Sequence, residues 1–180
     1  MDGTLYLDDR LFDGVKEFLA RIRERGGRYL FLTNNSSRGV EGYMEKLSGM
    51  GIRTERRDYL TSVDAAIDCL RRRYPGKRCY VQGTRSFYGQ LAAAGIPVTC
   101  DREDGVDILL SGFDRELTFQ KLEDACILLE RGAVWLATTP DWVCPTWYGS
   151  VPDCGSVCEM LTRATGRRPE FLGKPRPAMV

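Results

Sequence analysis

Apolar positions along the chain switch between a helical period and short unbroken runs. Val15, Phe18, Leu19 and Ile22 fall at i, i+3, i+4 and i+7, which predicts an amphipathic helix with Asp13 as its cap and Gly26-Gly27 as its end. Arg28 to Thr33 follows as a strand, and its apolar run without alternation suits a strand covered on both faces. Ser36 or Ser37 is placed to cap the next helix, with Tyr43, Met44 and Leu47 inward and Gly49-Met50-Gly51 at its end. A short strand at Tyr59-Leu60-Thr61 leads into a helix capped by Ser62, with Val63, Ala66, Ile67 and Leu70 on one stripe.

Tyr74-Pro75-Gly76-Lys77 breaks the pattern. Beyond it Cys79-Tyr80-Val81 reads as a strand, Thr84 to Ala94 as a helix, and Val98 as part of a short strand. Asp107 to Leu110 and Val134 to Ala137 read as strands around a helix from Thr118 to Glu130, on which Phe119, Leu122, Cys126 and Leu129 are helically spaced. Ser156 to Thr165 is a last helix, and Glu170 to Leu172 a last strand. Strands alternating with helices predict an α/β fold of parallel sheets with right-handed crossovers. Ligands in such sheets lie beyond the carboxyl ends of the strands, and Asp2, Thr33 and Lys174 each fall at such an end.

Composition adds limits. The 180 residues suffice for one substantial domain or a small core with an inserted unit, and a charged fraction of 28% is that of an ordinary globular protein. A net charge of +1 gives no electrostatic case for nucleic acid or an anionic membrane as partner. Arg71-Arg72-Arg73 ends a helix, where cations suit the dipole and water. No stretch is apolar over the roughly 18 residues a bilayer span needs, and the start of the chain has no signal-peptide pattern, so the cytoplasm is expected.

Histidine is absent. That removes Ser-His-Asp triads, Cys-His dyads, His-Glu-x-x-His zinc sites and every imidazole base, leaving carboxylate, lysine, hydroxyl and backbone groups to run any chemistry. The seven cysteines are scattered through predicted elements, as expected of free thiols. Cys154 and Cys158 lie one helical turn apart with Cys144 upstream. They lack the second ligand pair that a structural zinc site requires, so free thiols are expected there.

The chain opens Met1-Asp2-Gly3-Thr4, carries Leu32-Thr33-Asn34-Asn35-Ser36-Ser37 after its first long strand, and ends near Phe171-Leu172-Gly173-Lys174-Pro175. Asp-Gly-Thr, strand-Thr-Asn and Gly-Lys-Pro, in this order and separation, resemble motifs one, two and three of the haloacid dehalogenase superfamily of phosphotransferases. The closer resemblance is to its NagD-like and para-nitrophenylphosphatase-like branch (class IIA), in which an α/β cap lies between motifs two and three. Ala137-Thr138-Thr139-Pro140-Asp141 and Val151-Pro152-Asp153-Cys154-Gly155 are similar to strings near that cap's end, although Asp153 stands where the branch usually has glycine.

The resemblance implies a Rossmann-like core, incomplete here, over residues 1–76, an inserted cap over 77–168, and a return to the core over 169–180. It implies Mg²⁺-dependent hydrolysis of a small phosphorylated metabolite through an aspartyl-phosphate. Asp2 would be the general acid and base, and its carbonyl a metal ligand, with Gly3 freeing the turn after the strand. Thr33 would donate its hydroxyl to a phosphate oxygen, aided by backbone N–H groups around Asn34 and Asn35, and Lys174 would set a point charge against the phosphate. Asp141 and Trp142, in a loop rich in proline and aromatics, would face the substrate.

In the full motif an aspartate precedes Met1 by one position, and motif four would lie beyond Val180. The chain is therefore expected to be truncated at both ends and inactive by itself. Two alternatives stand beside this reading: a non-catalytic ligand-binding or interaction protein on a degenerate fold of this kind, and a phosphomutase or phosphotransferase. Assembly into a homo-oligomer through the cap, and the identity of the ester, stay open.

Overall fold

The computed structural model describes residues 1–179. The chain begins with a small antiparallel hairpin, β1 (Tyr6–Leu7) and β2 (Arg10–Leu11). Helix α1 (Val15–Glu24) follows. It starts at Gly14 with no side-chain cap, so Asp13 does not cap it. Val15 and Leu19 are buried but Phe18 is 62% exposed. At 100° per residue Phe18 lies on the far side of Val15 from Leu19, outside the narrow strip that this helix buries.

β3 (Phe31–Thr33) pairs in parallel with β4 (Tyr59–Thr61), Thr33 opposite Thr61. The strand is shorter than expected, and Leu30 beside it is 51% exposed, so it is not covered on both faces. Between them α2 (Val40–Gly49) starts at Gly39, also without a side-chain cap. Ser36 and Ser37 do not cap it, because their hydroxyls are committed elsewhere. α3 (Ser62–Arg73) is capped by Thr61, not Ser62. Thr61 Oγ1 accepts from the Asp64 N–H and the Asp64 carboxylate accepts from the Thr61 N–H.

The remainder is a second, larger sheet. In chain order come β5 (Cys79–Gln82), α4 (Arg85–Ala93), β6 (Val98–Thr99), β7 (Ile108–Ser111), α5 (Phe119–Glu130) and β8 (Val134–Ala137). A hairpin of β9 (Val143–Thr146) and β10 (Gly149–Pro152), α6 (Cys154–Thr165) and β11 (Glu170–Phe171) complete it. The five parallel strands lie in the order β11-β8-β7-β5-β6. Alternate residues feed two cores, as a strand's period of two requires. Cys79, Val81, Ile108 and Leu110 face α3 and α4, whereas Tyr80, Leu109 and Trp135 face α5 and α6.

Two segments differ from the expected division. Helix α3 supplies Val63, Ala66 and Leu70 to the core of the larger sheet, although it precedes the Tyr74–Lys77 break. The strand expected to return the chain to the first unit, β11, is the edge strand of the larger sheet, pairing Phe171 with Ala137. Arg73 at the end of α3 ties the two together through a two-pronged ion pair with Glu170. That arginine is therefore not simply solvated. The first unit keeps its own core of Tyr6, Leu19, Phe31, Val40, Tyr43, Leu47 and Tyr59.

The two units meet where the larger sheet's strand order reverses, at the carboxyl ends of β5 and β7. This crevice, the usual ligand position in such sheets, is filled by the loop after β3. The buried Ser36 hydroxyl accepts from the Phe113 N–H at 2.9 Å and lies 3.2 Å from Thr138 Oγ1. Thr84 Oγ1 donates to the Ser37 carbonyl at 3.2 Å.

Candidate active site

The first unit brings Thr33 to the carboxyl end of β3, and the chain beyond it turns at once into Asn34. The Asn34 side chain spends both of its polar atoms on the protein. Its Oδ1 accepts from the Lys174 N–H at 2.8 Å, and its Nδ2 donates to Asp141 Oδ2 at 2.9 Å and to the Lys174 carbonyl at 3.3 Å. One amide thus holds together the end of β3, the loop after β8 and the loop after β11. The Ser62 hydroxyl donates to the Asn34 carbonyl at 2.7 Å, fixing the same residue from α3.

Close approach dictates two glycines here. A Cβ on Gly173 would sit 2.2 Å from the Thr138 carbonyl oxygen and 2.7 Å from Asn34 Oδ1, and one on Gly155 would sit 2.2 Å from the Pro140 carbonyl oxygen. Only a residue without a side chain lets these backbones pass.

Asp2, Thr33 and Lys174 line one cavity of about 90 Å³, with Asn34, Asn35 and Asp141 around it. The Thr33 hydroxyl oxygen accepts from the Asn35 N–H at 3.3 Å, and the Tyr43 phenol is a further neighbour of this hydroxyl. The Oδ1 of Asn35 is committed, accepting from the Ser37 N–H at 3.0 Å and the Ser37 hydroxyl at 2.7 Å. The Asn34 side chain is thus fully engaged by the protein, whereas the Asn35 Nδ2 keeps its donors. Of the expected site residues, Gly3 and Trp142 lie outside the cavity. Gly3 turns the chain at φ +69° beside Pro145. The Trp142 ring is 60% exposed and lines a separate groove with Gly155 and Thr162. Successive residues of an extended chain point to opposite sides, so Asp141 turning inward sends Trp142 outward.

Asp153 completes the wall and was not expected there. It is the N-cap of α6, its carboxylate accepting from the Cys154 N–H at 2.6 Å, and it is 6% exposed. Burial pushes its pKa up to about 6; the Cys154 N–H pulls the other way, and the Asp141 and Asp2 charges add to the rise. The signal was in the sequence: an aspartate where the resembling branch has glycine. Cys144, on β9, is pushed up to about 11 by burial and by Asp153 and Asp2. Cys154 and Cys158 are free buried thiols with their sulfurs 3.9 Å apart, packed in the core rather than facing the site.

A carboxylate at the start of the chain, a hydroxyl at the end of β3 and an ammonium in the loop after β11, all lining one small cavity, suit the binding of a tetrahedral oxyanion. The haloacid dehalogenase-like hydrolase family matches residues 1–97. The acid sugar phosphatase of Staphylococcus aureus is 32% identical over all 180 residues, which span 69% of that protein. The chain belongs to the haloacid dehalogenase-like hydrolases.

Solved members of the family place it in the NagD-like branch. A putative NagD protein superposes with a TM-score of 0.92 at 39% identity, covering 99% of this chain and 70% of that one. The glycerol phosphate phosphatase of Mycobacterium tuberculosis, solved in complex with magnesium, superposes at 0.91 with 31% identity, covering 99% of this chain and 54% of that one. The family's fold is that of the chain: helices flanking a parallel sheet.

Proposed function

We propose that these residues form the substrate side of a Mg²⁺-dependent phosphate-monoester hydrolase acting on a small phosphorylated metabolite. The larger sheet with its helices serves as the cap. The observation that carries the reading is the convergence of Asp2, Thr33 and Lys174 on one cavity. The names of the S. aureus and M. tuberculosis relatives, both phosphatases, support it.

In this reading Lys174 neutralises the equatorial oxygens of the phosphoryl group while Thr33 donates its hydroxyl proton to one of them. Asp2 protonates the departing alkoxide and afterwards takes a proton from the attacking water. The attack on phosphorus belongs to the aspartate two positions before Asp2 in the family motif, which would give an aspartyl-phosphate. That aspartate is not among these 180 residues.

Magnesium is supported by the magnesium complex of the M. tuberculosis relative. Among the described residues no group of three or more acidic, thiol or imidazole side chains is set to hold a metal ion, so these residues by themselves do not make the metal site. Asp2 would contribute one ligand to it, and no step above runs through the metal.

The 180 residues alone should hydrolyse para-nitrophenyl phosphate no faster than buffer with Mg²⁺, because loss of a nucleophile costs many powers of ten. The same chain preceded by a strand ending in Asp, and followed by the acidic fourth motif, should turn it over. Metal-dependent turnover by the 180 residues would overturn the placement of the nucleophile. No turnover by the extended protein would favour a ligand-binding role, the second reading.

A further inference from the structure

A second space of about 510 Å³ adjoins the small cavity, and Asp2, Asn35, Cys144 and Pro145 line both. Its volume is that of an ordinary small-molecule site. With a phosphoryl group held between Thr33 and Lys174, the alcohol that departs must lie on the other side of Asp2, in this larger space.

The charges around it are not equivalent. Asp114 is paired with Lys121 at 2.8 Å, and Asp9 with Lys46 at 3.7 Å. Asp8 accepts from the Trp147 N–H at 2.6 Å. Arg38 and Arg115 line the same space, and among the described residues neither has a carboxylate within ion-pair distance nor a side-chain hydrogen bond. Both stand at the exposed rim of this space, Arg38 on the loop between β3 and α2 and Arg115 on the loop between β7 and α5. Two guanidinium groups without protein partners, at the rim of a cavity whose carboxylates are nearly all engaged, are donors awaiting an anion.

We propose that Arg38 and Arg115 bind a carboxylate carried by the leaving alcohol, so that the preferred substrates are phosphate esters of hydroxy acids rather than of neutral polyols. The proposal rests on the phosphatase reading only for which end of the ester lies where.

The test compares 3-phosphoglycerate with glycerol 3-phosphate, which differ in a carboxylate against a hydroxymethyl group. Titration calorimetry with the 180-residue chain at low ionic strength should show the acid bound at least ten-fold more tightly, with the ratio shrinking as salt is added. In the Arg38→Gln/Arg115→Gln double variant, checked for native circular dichroism, the ratio should fall below about three-fold. Equal affinities, binding of neither ester, or an unchanged ratio in the variant would overturn the proposal. A ten-fold ratio with no hydrolysis of either ester by the extended protein would leave the anion site standing and remove the phosphatase reading. Hydrolysis without preference would do the reverse.

Discussion

Asn34 and Lys174 are joined in both directions: the Lys174 N–H donates to Asn34 Oδ1 at 2.8 Å, and Asn34 Nδ2 donates back to the Lys174 carbonyl at 3.3 Å. The residues are 140 positions apart, so this pair decides where the Lys174 ammonium stands relative to Thr33. Asn34→Ala should lower stability by about 1–3 kcal/mol, the cost of partly buried groups left without partners. Asn34→Asp should cost more, because it exchanges the Nδ2 donor for a charge beside Asp141. Urea denaturation of the chain measures both, and a neutral Asn34→Ala would show that the contacts are not formed.

Gly173→Ala tests the closeness of the same loop. Its Cβ would fall 2.2 Å from the Thr138 carbonyl oxygen, a backbone atom that cannot swing aside as a side-chain tip could. A loss of more than about 2 kcal/mol is expected. Gly132→Ala, at a glycine with nothing within 4 Å but φ +92°, should cost only the backbone strain of about 1 kcal/mol. The order of the two midpoints decides the matter.

Asp153 should make stability depend on pH. Its folded value of about 6 lies above the ordinary 3.8. The proton it holds in the folded state therefore stabilises fully below pH 4 and ceases to as pH rises through 6. Asp153→Asn keeps a good helix cap and carries no charge. It should be more stable than the parent at pH 7–8 by about 1–3 kcal/mol, with the advantage gone below pH 4. Thermal melts of both proteins across this range check the sign; a variant less stable at pH 8 would show that the ionised carboxylate is well satisfied.

In the extended enzyme Lys174→Ala should lower kcat/KM for every phosphomonoester by about a thousand-fold or more, since it acts on the group all share. Asp141→Ala should lower all substrates alike as well, because Asp141 Oδ2 accepts from Asn34 Nδ2 and so helps to fix the loop that carries Lys174. Trp142→Ala should move none by more than about two-fold. A change in substrate ranking at Trp142 would return that ring to the substrate side.

Much of this was readable in the chain. Leu70, Val81, Leu110 and Leu129 fall on the periods that their elements bury, and Asp2, Thr33 and Lys174 were marked by sitting at strand ends. What failed has identifiable causes. Phe18 matched a helical stripe, but α1 buries a strip too narrow to include it. The β9–β10 hairpin lies where the sequence, rich in proline and aromatics, suggests a loop; Pro145 and Pro152 are tolerated because a two-stranded ribbon leaves edges unpaired. The parts played by Asn34 and Asp141 depend on contacts across more than 100 residues, which no local pattern records. Asp153 stands out in the sequence only as an aspartate in place of glycine; the fold shows that it caps α6 and faces the site.

Ser36 gives the site a clock. Its hydroxyl is the acceptor for the Phe113 amide, and Phe113 is 4% exposed, so that amide can trade its hydrogen for deuterium only when the smaller unit and the larger sheet part. The exchange rate of one backbone position therefore counts how often the crevice comes open, without any substrate or label. If phosphate bridges Thr33 and Lys174 across the closed crevice, adding it should slow that single amide far more than those buried in the middle of α5.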